Sequence, residues 1–229
     1  AMDRHLQRLA RSAAGMGITA PDLDDVRDAL LAVCAANPEL AGGGRLRITL
    51  TSGAGPLGSD RISEEATLVV AASPSKAWPE STALALSPWP RNERSPLVGL
   101  KTTSYAENVL ALARAKSRGA GEALLANLAG DVCEGTGSNV FIAIDGQLTT
   151  PPLSSGCLAG ITRELVIEWC ADAGIDVRER SLPVAEITMA EEIFITSSTR
   201  DVHPVDSLLE DGGTTVWTSA RHELTSTVA

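Results

Sequence analysis

The segment NVFIAIDGQLTT, residues 139–150, limits most tightly how this chain can fold. The apolar run NVFIAI and the short strand-like segment QLTT flank Asp145-Gly146. Asp-Gly is the dipeptide that a two-residue type I′ turn demands, because both central residues need φ > 0. A hairpin is therefore predicted. GITRELVIEWCADAG then predicts a helix over 161–173 with Gly174 at its end, and EEIFITSS reads as a further strand entering a polar turn. Upstream, SYAENVLALARAKSRG is a helix stopped by Gly119, followed by EALLANLAG.

The first half of the chain has another pattern. His5, Leu6, Leu9, Ala13 and Met16 keep helical spacing from the outset, with Gly17 as the stop. DLDDVRDALLAVCAANP predicts a second helix, with acids in its first turn and Pro38 beyond its end. RLRITL (45–50), TLVVAAS (67–73) and TALALS (82–87) read as strands. The Pro- and charge-rich SPWPRNERSPL (87–97) reads as the way out of this unit. The expectation is a small α+β domain over 1–92, a linker at 93–99 and a larger domain over 100–229, in the α+β / α/β class.

Charge and cysteine usage remove several function classes. A net charge of −10 over 229 residues argues against a nucleic-acid or membrane-surface partner. No apolar run approaches the ~20 residues of a membrane span. The opening residues read as an amphipathic helix and not as a signal peptide. The four cysteines (Cys34, Cys133, Cys157, Cys170) show no CxxC and no metal-ligand spacing with the three histidines, so they read as reduced thiols of a cytoplasmic protein without a metal site. GAGPLG (53–58) matches GxGxxG after a strand, but the next strand follows too soon for a helix, so it reads as a hairpin loop. Walker A, GxSxG and HExxH are absent.

Four features carry chemistry. Lys101, in VGLKTTSYAEN, has two readings: a snorkelling surface residue, or a partly buried amine whose lowered pKa makes it a nucleophile toward carbonyls. Gly160 precedes a helix whose first turn holds Ile161 and Thr162, and free backbone N–H groups there suit an anion. ITSSTRD (195–201) puts hydroxyls at a strand end, as a phosphate contact or as a plain turn. Glu134, in CEGTGSNVF, is a lone acid at the mouth of a buried strand. An amine for an aldehyde, two phosphate contacts and an acid for a ring nitrogen are together the partners of pyridoxal 5′-phosphate.

With these residues the chain resembles the class IV aminotransferases, the fold-type IV pyridoxal-phosphate enzymes. The resemblance runs through HLQRLARSA, KTTSYAENVLA, CEGTGSNVF, LTTPPLSSGCLAGITR and AEEIFITSSTRDVHPV in the family's order. It implies a two-domain fold of the D-amino acid aminotransferase type, with Lys101 forming the Schiff base and Glu134 on the pyridine nitrogen. It further implies that Arg8, of HxxRL, and the backbone amides of Ile161 and Thr162 hold the phosphate. The resemblance also puts Ser198 where the family usually has a phosphate-binding threonine, and it implies a hydrogen bond from Tyr105 to the cofactor's phenolic oxygen. Arg200 is open to two roles, a substrate-carboxylate contact or a surface arginine paired with Asp201. The family also carries strands ahead of HxxRL that this chain does not contain. KTTSYAEN with SGCLAGITR is most similar to actinobacterial aminodeoxychorismate lyases. The resemblance thus implies a lyase giving 4-aminobenzoate and pyruvate for folate synthesis, or else transamination of D- or branched-chain amino acids with 2-oxo acids. A homodimer acting on a small amino substrate is the implied assembly.

Overall fold

Apolar side chains three and four apart begin the chain and decide its first element. The computed structural model describes residues 1–58, 60, 65–219 and 223–228. Helix α1 spans Met2–Gly15 and α2 spans Leu23–Ala36. Leu6 packs with Val26 and Leu30, flanked by Leu9 and Leu23. The Asp22 carboxylate accepts the Asp24 N–H at 2.8 Å and so satisfies an amide that α2 cannot pair internally. Strands β1 (Gly44–Thr51) and β2 (Thr67–Pro74) pair antiparallel, with Ile48 opposite Val70 and Leu50 opposite Leu68. Ile48, Leu68 and Val70 pack on the helix cluster, where each fully buried side chain contributes about 1.5–3 kcal/mol. Residues 53–58 lie in the connection between these two strands, as the hairpin-loop reading required.

Ala1–Ala77 and Leu100–Thr103 make one compact unit; Trp78–Gly99 and Ser104–Ala229 make a second. The strands of the second unit are β3 (Thr82–Leu86), β4 (Glu122–Ala126), β5 (Val132–Gly135), β6 (Asn139–Ile144), β7 (Gln147–Thr150), β8 (Val177–Glu179), β9 (Glu192–Ser197), β10 (Asp201–Leu209) and β11 (Thr215–Thr218). Among the described residues these nine form one mixed sheet in the order β5-β4-β3-β10-β9-β6-β7-β8, with β11 on β10. Its helices are α3 (Ala106–Ser117), α4 (Ile161–Asp172) and α5 (Glu223–Val228).

The predicted hairpin is β6–β7. Asp145 and Gly146 both have positive φ, 51° and 71°, as a type I′ turn requires. β6 is buried along its whole length, and its alternate residues serve two cores. Val140 and Ile142 join Ile193 and Ile195 on one face. On the other, Phe141 stacks on Phe194 of β9, centroids 4.9 Å apart, beneath Val166 and Cys170 of α4. The carboxylate of Glu192 on β9 accepts the N–H groups of Leu224 and Thr225 at 3.0 and 2.6 Å and anchors the start of α5.

The structure differs from the sequence reading at one element. Residues 82–87 read as part of the first unit, yet β3 lies between β10 and β4 in the large sheet, parallel to both. Leu84 packs with Leu124 and Leu208, while Ala85 faces Ala111 and Ala115 of α3. A short strand apolar on both faces suits a buried parallel position, but its sequence does not name its partners. The segment 87–97 follows it into the second unit. The Arg91 N–H donates to the Ala126 carbonyl at 2.7 Å, and Arg91 bridges to Asn127. The chain therefore leaves the first unit at residue 77 and rejoins it at 100–103, with no single crossing at 93–99.

Candidate active site

In the first unit, one face of α1 collects the cationic groups. Arg8 is buried, and its Nη2 lies 3.3 Å from Nδ1 of His5, one turn earlier. One turn later, Ser12 Oγ accepts the Lys101 N–H at 3.1 Å and docks the 100–103 segment on the same helix. The His5 imidazole is pushed below its usual pKa, first by burial, then by the charges of Arg8 and Lys101. Lys101 and Arg8 thus belong to one local array, although they lie far apart in sequence. Lys101 itself is exposed in this chain.

In the second unit, Glu134 stands on β5 with its side chain only 13% exposed. Both carboxylate oxygens are engaged. Oε2 accepts the Leu158 N–H at 2.9 Å, and Oε1 lies 3.3 Å from Nη2 of Arg91. Leu158 is held from its other side as well, since its carbonyl accepts from Asn139 Nδ2 at 2.8 Å. Residues 158–160 therefore carry the position of Glu134 directly into the start of α4. Gly160, the N-cap, has no side chain to cap the helix, so the amides of the first turn, at Ile161 and Thr162, keep no side-chain cap. Any larger residue at 160 would drive its Cβ into Asn139 Oδ1. A carboxylate and an open helix N-terminus are thus built into one rigid piece.

A second carboxylate organises the rest. Glu122 is 2% exposed on β4, where Oε1 accepts from Gly137 N–H at 2.6 Å and Ser138 Oγ at 2.9 Å. Its Oε2 lies 2.7 Å from Arg200 Nη1, an ion pair rather than an aligned hydrogen bond. Arg200 sits in the turn joining β9 to β10, its guanidinium 4.0 Å from the Trp78 ring centroid. Trp78 Nε1 in turn donates to the Thr199 carbonyl at 2.6 Å. Ser198 lies exposed in the same turn. Arg200 is neither a surface residue nor Asp201's partner; its charge is committed to Glu122, and an incoming carboxylate would have to compete. Tyr105 precedes α3, whose Asn108 donates to the Thr136 carbonyl at 2.6 Å and so ties this helix start to the end of the Glu134 strand.

Glu122, Asn139 and Arg91 escape a reading of the sequence. Glu122 and Asn139 lie in otherwise apolar strands, where a single polar residue carries no pattern, and Arg91 lies in a segment that reads as a linker. The thiols beside Glu134 are held in their neutral form. Burial, helped by the neighbouring Glu134 charge, pushes Cys133 far above the usual thiol range, and burial raises Cys157 too. No helix among the described residues is long and apolar enough to cross a membrane.

A partly buried carboxylate fixed beside an uncapped helix start is a donor set for a ligand that bears a phosphate and a basic ring nitrogen. Residues 1–208 match the family model for amino-transferase class IV, and the chain belongs to that family. A Methanocaldococcus jannaschii protein named as a candidate branched-chain-amino-acid aminotransferase is 32% identical over 211 residues, 89% of this chain and 72% of that one. The solved 4-amino-4-deoxychorismate lyase of Pseudomonas aeruginosa superposes with a TM-score of 0.84 at 31% identity, over 99% of this chain and 82% of its own. The branched-chain amino acid aminotransferase of Escherichia coli superposes at 0.86 and 26% identity, over 98% and 75%. The fold is therefore that of the fold-type IV enzymes, and the cofactor of the family is pyridoxal phosphate.

Proposed function

We propose that the protein is a 4-amino-4-deoxychorismate lyase, releasing pyruvate and leaving 4-aminobenzoate for folate synthesis. The observation that supports this reading is the likeness to the Pseudomonas aeruginosa lyase, at 31% identity over 99% of the chain. Residue chemistry supports it. Segments 102–104, 135–138, 154–156 and 196–199 are built of Ser, Thr and Gly. Such residues suit a polar, dicarboxylate ring better than an apolar side chain.

Bound pyridoxal phosphate supplies an electron sink for the charge left when a proton is removed. In this proposal Lys101 would hold the cofactor covalently, and its amine would be the base that takes the proton from the amine-bearing ring carbon of the substrate. The substrate's bond to its enolpyruvyl oxygen then breaks, the ring becomes aromatic, and the departing enol becomes pyruvate. Glu134 would serve the ring nitrogen as a fixed negative charge. Arg8, the amides of Ile161 and Thr162, and the Ser198 hydroxyl would hold the phosphate. Tyr105 would donate to the phenolic oxygen, and Arg200, already held by Glu122, could offer at most a shared contact to a substrate carboxylate. The assembly is proposed to be a cytoplasmic homodimer.

The second reading is a class IV aminotransferase, favoured by the names of the sequence relatives. Incubation with aminodeoxychorismate, and separately with leucine or D-alanine plus 2-oxoglutarate, separates the two. Appearance of 4-aminobenzoate with pyruvate is expected. Fast amino exchange with no aromatic product would replace the lyase by the aminotransferase.

A further inference from the structure

Arg91 has no part in the roles assigned so far, yet it holds the most consequential carboxylate in the second unit. Glu134 is fixed at Oε2 by the Leu158 N–H, 2.9 Å away, and Arg91 Nη2 stands 3.3 Å from Oε1. A carboxylate restrained at both oxygens cannot turn about its own axis. The two side chains are 17% and 13% exposed, so their attraction is screened far less than that of a surface pair. Arg91 is itself anchored. Its N–H is bonded to the Ala126 carbonyl, its Nη2 donates to Asn108 Oδ1 at 3.1 Å, and its Nη1 lies 3.6 Å from Glu107. The same guanidinium therefore touches Glu134 and the first turn of α3, the helix that Tyr105 precedes.

We propose that Arg91 is a positioning residue for Glu134: it braces the carboxylate against rotation, keeps it aimed at the cofactor's ring nitrogen, and locks it to the start of α3. The inference rests on the assignment of Glu134 to that nitrogen. Arginine suits this task because its fork reaches two acceptors at once and its charge is permanent. A lysine there would supply the charge alone.

The test is a cycle of Arg91→Met, Glu134→Gln and the double variant, read by titrating pyridoxal phosphate into the apoprotein and following its visible band. Arg91→Met is expected to weaken cofactor binding and lower kcat by about ten- to a hundred-fold, the range seen when an outer partner of a ligating group is lost. KM for the amino substrate should change little, and Arg91→Lys should recover part of the loss. In the Glu134→Gln background, Arg91→Met should add almost nothing, because the group it positions has gone. Equal losses in both backgrounds, or native affinity in Arg91→Met, would overturn the inference. If Arg91→Met does not fold, the same cycle with Arg91→Lys is expected to show a smaller coupling of the same sign, and zero coupling refutes it. A wild-type protein with no band that borohydride removes would overturn the cofactor roles, and this inference with them; a wild-type band with no coupling overturns the inference alone.

Discussion

Glu134 on β5 and Leu158 in the loop ahead of α4, 24 residues apart, are joined by one hydrogen bond of 2.9 Å from the Leu158 amide to Oε2 of the carboxylate. That bond makes the acid and the start of α4 one mechanical piece. A ligand held by its phosphate at the helix would then present its far side to Glu134 at a fixed distance. The charge need not be reorganised at each turnover, which is the condition under which a fixed charge accelerates a reaction most.

Glu134→Gln should therefore cost rate far more than stability. Glutamine can still accept from Leu158 through its amide oxygen, but it carries no charge for a ring nitrogen or for Arg91. We expect kcat to fall by about two orders of magnitude or more, roughly 3 kcal/mol of barrier at ~1.4 per tenfold. Steady-state kinetics beside thermal melting checks this. A variant with native kcat would leave Glu134 as a clamp for Leu158 only.

Lys101→Ala should abolish turnover while pyridoxal phosphate still binds without a covalent link, because the phosphate grip is a separate set of interactions. Absorbance before and after borohydride, together with mass analysis, distinguishes linked from unlinked cofactor. Retained activity would mean that another amine does the chemistry.

Glu122→Ala is expected to be the most destabilising of these changes. It strands the Arg200 charge, the Gly137 N–H and the Ser138 hydroxyl in a site that is closed to water. Removing one member of a buried pair costs about 3–5 kcal/mol. At about 2–4 °C per kcal/mol for a chain of this size, the melting temperature should drop by roughly 10 °C. A drop within a degree or two would show that water reaches the cluster.

Gly160→Ala should weaken cofactor binding by about tenfold or more, since its Cβ meets Asn139 Oδ1 and must push the start of α4 away from Glu134. Adding Asn139→Ala removes the obstruction. The double variant should bind pyridoxal phosphate more tightly than Gly160→Ala alone. If instead the two losses simply add, the clash is not the cause.

Acid should destabilise the protein through two histidines. His5 and His203 are both held below the usual 6.5, in each case first by burial. Between the folded and unfolded pKa values the unfolded chain binds the extra protons, so stability is intact above 6.5 and lost as pH falls below it. Denaturation midpoints measured from about pH 7.5 to 5 should fall accordingly. His5→Gln and His203→Gln should each flatten that slope. A slope unchanged by both would assign the acid response to the carboxylates.

Much of this molecule is local and therefore legible in one dimension. The Asp145-Gly146 turn, the two opening helices with their stops, the helix after Gly160 and the polar turn at 198–200 each depend on neighbours a few residues away. Glu134 and Lys101 could be singled out because each is a charged residue at a junction where burial begins or a helix starts. Tertiary structure decided what depends on distant pairing. It placed β3 in the large sheet, because a five-residue strand apolar on both faces accepts any buried parallel neighbour and only the whole sheet selects one. It brought the Lys101 backbone to Ser12, 89 residues away, and Arg200 to Glu122. It also turned Arg91 from a linker charge into the brace of Glu134. A sequence specifies an ionisable residue's chemistry; its partner is set by the fold, since a buried charge must be matched by whatever the packed chain brings within a few ångströms of it.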